Sequence, residues 1–578
     1  MKNDKEETIW DNTNIAESYP GVTLPLTFSF ISHAYSQVYL EFLLSIGVSK
    51  KKIGESQSIF SNLLGHLQGH VYYNAKNWYS LVRLLPGYRY NRDFFEAMWN
   101  PKKKMRRRQP EQLSFRRKIA FLALLLQFAW KLVTARYLIK KFVKDFFIHY
   151  DSFTAVDIKR LSTKKLAFHY RQIERKLFAA WAVPILNDFR VMIFHGIFRK
   201  LVFTVIGRED DHLVGKLLTQ HLEMSSLDLV RELQLIATGI QNNPAAAALF
   251  KSGLSDSVLY KKLDESLNPS LVMVRTQVGD YIRRFGDRNP SELKLESPSL
   301  RERPEIMIAF LKQYLTSDSV PRQKHSGISC QREMAFLKQR FKGRYGLLYY
   351  PLWVFLRYAL KTAKESITAR EEMRLLRSLA YGLARRVFIQ FGTLLNQSNL
   401  LHSATDIFFM SREEILGWAE RKSSIFGVAE MIKERQKVFK VYKNSPTPPG
   451  RVKTYGSDTS LLIPDEDSEN LQKEGLRGIP ASAGTVRGTV VCMKEFNSDQ
   501  DLRGKILVTR QTDPGWTIVF PLLSGLVTER GNILSHAAIV SRELRIPSVL
   551  AVEKATDILK SGDYIELNGS QGTVTILK

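Results

Sequence analysis

The chain has 578 residues, too many for one hydrophobic core, so roughly two to four domains are expected. With 44% hydrophobic and 25% charged residues, it has the composition of a globular protein, not of a disordered or fibrous one. Two cysteines, Cys330 and Cys492, exclude a disulfide scaffold and fit a reducing cytoplasm, and the net charge of +28 is strongly basic.

The opening MKNDKEETIW has no apolar stretch, so no secretory leader is expected. From about Trp10 to Val441, Leu, Phe, Ile and Ala recur every three or four residues, which predicts a large α-helical domain over residues 1–441. SYPG (Ser18 to Gly21), LPGY (Leu85 to Tyr88) and FGDRNPSE (Phe285 to Glu292) read as turns between its helices. GHLQGH is read as helical, with His66 and His70 four apart on one face. It lacks the glutamate of H-E-x-x-H and an evident third ligand, so packing is expected and no metal site.

Basic residues crowd at Lys102 to Arg108 (KKKMRRR) and at Arg116, Arg117 and Lys118. The apolar run Ile119 to Trp130 follows, shorter than the ~20 residues that span a bilayer. It is expected to be a buried or partner-facing helix, not an integral membrane segment. The cluster suits a solvated basic face or an acidic protein partner. Without a nucleic-acid module beside it, nucleic acid is not an expected partner. Residues 476–578 hold 12 Lys+Arg against 10 Asp+Glu, so a charge of +26 lies before them.

At Tyr442 the texture changes. Residues 442–475 are rich in Pro, Ser, Gly and acids and read as a flexible linker. Short β-branched runs then follow (GTVRGTVVCM, KILVTR, GLVTE, IPSVLAV, DYIEL, GTVTIL), with one helix at Ser535 to Leu544. Residues 476–578 are therefore expected to form a small β/α domain. The fold class expected is multidomain α + α/β.

In LVTERGNILSHAAIVSRELRIPSVLAV, Leu526 to Val552, a strand ends near Thr528 and a turn on Gly531 and Asn532 leads into the helix. His536 then falls in the first helical turn, where free backbone N–H groups and the helix dipole favour a bound phosphoryl group. Neutral imidazole is nucleophilic and titrates near neutrality. Taken alone, the same dipeptide also reads as an ordinary histidine beside an N-capping Ser535.

TERGNILSHAAIVSRELRIPSV, with GIPASAGTVRG (Gly478 to Gly488) and TDPGWTIVFPLLSG (Thr512 to Gly525), resembles the mobile phosphohistidine domain of phosphoenolpyruvate-utilising enzymes. That group includes pyruvate phosphate dikinase, phosphoenolpyruvate synthase and rifampicin phosphotransferase. The resemblance implies a swivelling domain with His536 as the phosphorylated residue, in a turn shaped by Thr528, Glu529, Gly531 and Ser535. Arg542 and Glu543 would brace the helix. Asn532 departs from the second glycine of many relatives, and Asn is tolerated in a left-handed turn.

More loosely, the segments at Trp10 to Phe30, Gly69 to Gly87, Phe285 to Leu300, Ala369 to Arg386 and Gly392 to Ile415 resemble the helical region of rifampicin-phosphotransferase-like proteins, which holds the acceptor. This implies a phosphate or acceptor clamp from Arg288, Glu292, Arg370, Glu371 and Arg374, with Arg385 or Arg386 as further candidates. Each is equally readable as a structural ion pair. Asn12, Asn14, Glu17, Tyr72, Tyr73 and Asn74 would line the pocket.

No ATP-grasp domain, Walker loop or phosphoenolpyruvate-binding barrel is read in the chain, and no tightly bound cofactor is expected. The resemblance therefore implies a phosphotransferase component working with a separate ATP-grasp subunit. That subunit would use ATP and Mg, and the β-phosphoryl would pass through His536 to a small hydroxylated acceptor. A non-catalytic phosphocarrier, and a basic protein of nucleic-acid or membrane surfaces, are the alternatives.

Overall fold

The computed structural model describes residues 7–85, 115–207, 210–219, 228–287, 293–315, 327–422, 427–456, 458–464, 476–494, 500–512, 514–532 and 535–577. The chain packs as two compact units, each built from two stretches of sequence. The first comprises Met1–Phe189 and Leu383–Leu471, the second Arg190–Gly382 and Gln472–Lys578. The helical part of the chain is thus shared between the units, with divisions near Phe189 and inside the 49-residue helix Tyr349–Gln397.

The first unit contains a five-stranded sheet in the order β2-β3-β1-β4-β5. Its strands are β1 (Glu7–Asp11), β2 (Leu64–Leu67), β3 (His70–Asn74), β4 (Arg451–Tyr455) and β5 (Asp458–Pro464). GHLQGH is therefore a β-hairpin, contrary to the helix expected. Leu67 pairs with His70 across a two-residue turn in which Gln68 and Gly69 both have positive φ, at 46° and 77°. That turn matches strand twist, and Val71, Tyr72 and Tyr73 suit the strand that leaves it. His66 and His70 lie on neighbouring strands, each with a ring nitrogen at 2.9 Å from a backbone carbonyl, of Thr23 and Gln68 respectively. Burial drives the His66 pKa down to about 4. Among the described residues no cluster has the makings of a metal site.

Part of the stretch read as linker is likewise ordered. The helix Val428–Asn444 runs into it, and β4 pairs antiparallel with β1 along five residues, Glu7 to Asp11. Thr454 beneath β4 accepts a hydrogen bond from the Trp10 indole at 2.8 Å. The Pro- and Gly-rich texture marks the turns at either end of β4, and the alternation of buried Val452 and Thr454 inside it was the overlooked strand signal. Residues 465–475 of that stretch lie outside the described residues.

Around the sheet, helices pack through aromatic pairs such as Phe30 with Phe178 and Phe42 with Phe189. Their core holds one ionic group, the guanidinium of Arg412. It donates to Glu174 at 2.6 and 2.9 Å, with the Tyr170 hydroxyl at 3.3 Å. The apolar run that was expected to be buried or partner-facing belongs to the 40-residue helix Phe115–Thr154. There Leu122, Leu125, Leu126 and Trp130 are exposed while Phe128 is buried, so this part is not a core helix. By length and composition two stretches, Leu122–Thr154 and Thr163–Ile206, qualify to cross a membrane, and the first has little of itself buried in the protein. The cluster Lys102 to Arg108 lies outside the described residues.

The second unit joins helices from residues 190–382 to an eight-stranded sheet in the order β6-β13-β12-β8-β9-β10-β11-β7. These strands are β6 (Leu476–Arg477), β7 (Ile479–Ser482), β8 (Thr485–Met493), β9 (Ile506–Thr509), β10 (Gly525–Thr528), β11 (Ser548–Leu550), β12 (Tyr564–Asn568) and β13 (Thr573–Ile576). Strands β8, β9, β10 and β11 run parallel, and their buried Val, Leu and Ile read as unbroken apolar runs because both faces are covered. One core continues from this sheet into the helices. Leu507, Phe520, Leu526 and Ile539 share it with Tyr281, Ile308 and Leu356. The Tyr314 hydroxyl donates to the Ile518 carbonyl at 2.6 Å.

Removing one partner of the Arg412–Glu174 pair leaves a buried charge uncompensated, which costs about 3–5 kcal/mol. Glu174→Ala is therefore expected to destabilise the first unit by an amount of that order. Hydrogen-exchange protection of the helix Thr163–Ile173 should fall, while that of β8 to β11 stays unchanged.

Candidate functional site: a buried histidine between a threonine and a glutamate

The site begins where β10 ends. Thr528 is buried and folds its hydroxyl back onto the Arg530 carbonyl at 2.6 Å, which turns the chain sharply. Gly531 sits at φ +129°, a conformation that strains any side chain, and an added Cβ would press within 3.2 Å of the Ser535 hydroxyl. Glu529 accepts from both the backbone N–H and the hydroxyl of Thr556, at 2.8 and 2.6 Å, tying the turn to the far side of the sheet. Ser535 then caps the helix His536–Leu544, its hydroxyl accepting from Ala538 N–H. The four residues expected to shape the turn thus all lie in it. Arg542 braces the helix through the Ala481 carbonyl, and burial lowers its pKa to about 10.

His536 opens the helix and is 4% exposed. Its Nε2 lies 3.0 Å from the Thr517 hydroxyl, its Nδ1 lies 3.2 Å from Glu371, and the Phe520 ring stands edge-on at 6.3 Å. Glu371 comes from the long helix Tyr349–Gln397 and is itself 2% exposed. Arg374, one turn on, donates to its other oxygen at 3.1 Å. Burial pushes the Glu371 carboxyl up. Arg374, the hydrogen bond and charge of His536, and Arg370 together outweigh it and hold the pKa down to about 2.

An ionised carboxylate only accepts hydrogen bonds, so it fixes the imidazole proton on Nδ1. Nε2 keeps its lone pair, and the Thr517 hydroxyl can donate to it. The arrangement therefore presents one nitrogen as a nucleophile and braces the other. A group pushed to about pKa 2 is a poor proton acceptor, so Glu371 is suited to orienting the ring and balancing its charge.

Of the clamp residues read from the sequence, Glu371, Arg374 and Arg370 gather at His536, the last through its charge on Glu371. Arg288 and Glu292 lie outside the described residues. The aspartate just before them, Asp287, is buried against Gly382 and paired with Arg301 at 3.1 Å. Arg385 belongs to the first unit and covers the Phe408 ring at 4.9 Å, and Arg386 lies in that unit too. The residues proposed as pocket liners also fall in the first unit. There Tyr72 is fully buried and donates to the Pro449 carbonyl, and Asn74 caps a helix. Asn12 is buried, Asn14 is exposed, and Glu17 and Tyr73 are half-buried. Thr517 was missed by sequence reasoning. It lies inside the quoted TDPGWTIVFPLLSG segment, in a short 3-10 turn whose approach to His536 has no local periodicity to betray it.

Two family models match the chain, "PEP-utilising enzyme, mobile domain" over residues 502–572 and "Rifampicin phosphotransferase fourth domain" over residues 188–371. His536 lies in the first match and Glu371 ends the second, so their hydrogen bond joins the two matched domains. This chain carries the mobile domain of PEP-utilising enzymes together with a rifampicin phosphotransferase fourth domain.

Among curated relatives, a rifampicin phosphotransferase of Bacillus cereus is 34% identical over 206 residues, covering 34% of this chain and 23% of that protein. One from a Streptomyces species is 27% identical over 364 residues, covering 60% of this chain and 39% of that protein. The chain thus matches well under half the length of these relatives. A solution structure of an Enzyme I fragment covers 50% of this chain and 80% of its own at 14% identity. Its TM-score of 0.13 is too low for the likeness to bear on the fold.

Glu371 is held below its ordinary pKa of 4.5, so its ionised form stabilises the folded state. That contribution is complete above about pH 4.5 and is lost as pH falls through about 2. Glu371→Gln is expected to flatten the stability-against-pH curve across this interval, as read by thermal unfolding at successive pH values.

Proposed function

We propose that this chain is a phosphotransferase component. It carries a phosphoryl group on Nε2 of His536 and passes it to a small hydroxylated acceptor bound among its helices. The observation that carries this reading is the lodging of His536 between Thr517 and the ionised Glu371, with only Nε2 left nucleophilic.

ATP supplies the phosphoryl in this scheme, used with Mg on a separate ATP-grasp subunit, and no cofactor is held tightly by the chain itself. The Nε2 lone pair attacks phosphorus as the bond to the donor's bridging oxygen breaks. Nδ1–H stays on Glu371 throughout, so the ring charge that develops is met by a carboxylate already in place. In the second half-reaction the acceptor's oxygen displaces the imidazole, and Nε2 recovers its lone pair. Arg370 and Arg374 lie close enough to Glu371 to set its charge, and they give the phosphoryl group a cationic wall. His536 is buried in the state described, so loading requires residues 476–578 to move away from the helix that bears Glu371. The free thiol of Cys492 suits a cytoplasmic setting.

Incubation with γ- and β-labelled ATP and an isolated ATP-grasp protein should place acid-labile label from the β position on the wild-type chain, and none on His536→Ala. Equal labelling of both would overturn the proposal. Label that forms but is never drawn off by hydroxylated acceptors would instead point to a non-catalytic phosphocarrier. Glu371→Gln and Thr517→Val are expected to slow labelling by roughly 10- to 100-fold, the usual cost of losing a partner that orients a catalytic histidine.

A further inference from the structure

In the second unit the helices Gly327–Tyr345 and Tyr349–Gln397 are joined by a tight turn, Gly346–Leu348, with Gly346 at φ +51°. The turn is a projecting apolar tip. Leu347 is 100% exposed, Leu348 68% and Tyr350 64%. Phe336, Val354, Phe355 and Tyr358 carry the exposed apolar surface down both helices. Lys338, Arg340, Lys342, Arg344, Arg357 and Lys361 surround it, all exposed. Between residues 331 and 361 the one acid is Glu333, which is paired with Lys216.

The first unit repeats this chemistry independently. On the helix Phe115–Thr154, Leu122, Leu126, Trp130, Val133 and Tyr137 are exposed, and Arg136, Lys140, Lys141 and Lys144 follow on the next turns. A protein partner demands one fitted patch with matching shape. A lipid surface accepts apolar groups of any outline, and its anionic headgroups answer the cations beside them. Two separate patches of the same composition, on a chain of net charge +28, therefore favour lipid as the occupant.

We infer that the protein docks on an anionic membrane surface. The Gly346–Leu348 tip enters the headgroup region, and the lysines and arginines around it bind acidic lipid. Leucine side chains at the tip leave water for the acyl boundary, and each nearby cation strengthens attachment by about fivefold.

The test uses the purified full chain and sedimentation with vesicles of phosphatidylcholine alone or mixed equally with phosphatidylglycerol. Binding is expected to the mixed vesicles only, and to weaken as salt rises. Leu347→Glu with Leu348→Glu should weaken it at least about tenfold, and Lys342→Glu with Arg344→Glu by about 25-fold or more. Leu267→Glu, at a position 89% exposed away from the tip, should leave it unchanged. All these positions are exposed, and circular dichroism is expected to be the same for every variant. The inference is overturned if mixed vesicles are not bound, if neutral vesicles bind equally, or if the tip variants bind as well as the parent. It is also overturned if the tip variants instead dissolve an oligomer or abolish binding of an ATP-grasp protein while vesicles remain unbound.

Discussion

The hydrogen bond between His536 and Glu371 ties the chemistry of this chain to its architecture. One partner opens a nine-residue helix of the mobile domain, and the other sits inside a helix of 49 residues. Both are almost wholly buried, so their charges cannot be satisfied by water and must be satisfied by each other and by Arg374. A buried carboxylate with a cation on one side and an imidazole N–H on the other has little freedom of protonation. The tautomer of His536 follows from that, and with it the identity of the nucleophilic nitrogen.

The rest of the second unit keeps this pair in register. Parallel strands β8 to β11, covered on both faces, hold the end of β10 fixed. Gly531 makes the turn possible, Glu529 pins it, and Ser535 starts the helix at the residue that places the imidazole in its first turn. On the other side, the apolar core shared by the helices and the sheet brings the long helix to the ring, with Tyr314 and Ile518 bridging them. Swivelling would break one ion pair and one shared apolar core. The carrier residue would thereby pass from a dry site to a wet one.

Much of the mobile domain was legible in the sequence, because its turn residues, its β-branched runs and His536 lie close together along the chain. Glu371 was nominated through a resemblance of the AREEMR segment, and its approach to His536 follows from packing across 165 residues, which no periodicity records. Thr517 escaped for the same reason. Errors came where short polar turns resembled other things. Gln68–Gly69 closes a hairpin, yet i,i+4 histidines suggested a helix. The Pro- and Gly-rich 442–475 stretch suggested a linker, yet its Val452 and Thr454 alternate into a sheet whose other strands lie some 380 to 440 residues away. The division into two units, each made of two distant stretches, likewise has no local signature.

That pairing of β1 with β4 also sets a schedule for synthesis. Until residue 455 has left the ribosome, β1 has only β3 beside it, and its other edge offers unpaired backbone groups to any neighbouring strand. Neither unit can close its core before the last quarter of the chain appears, so the nascent protein spends most of translation with apolar helices uncovered. At ~5–20 residues per second that exposure lasts for tens of seconds or more, long enough for chaperone holding to decide how much of the chain reaches its folded form.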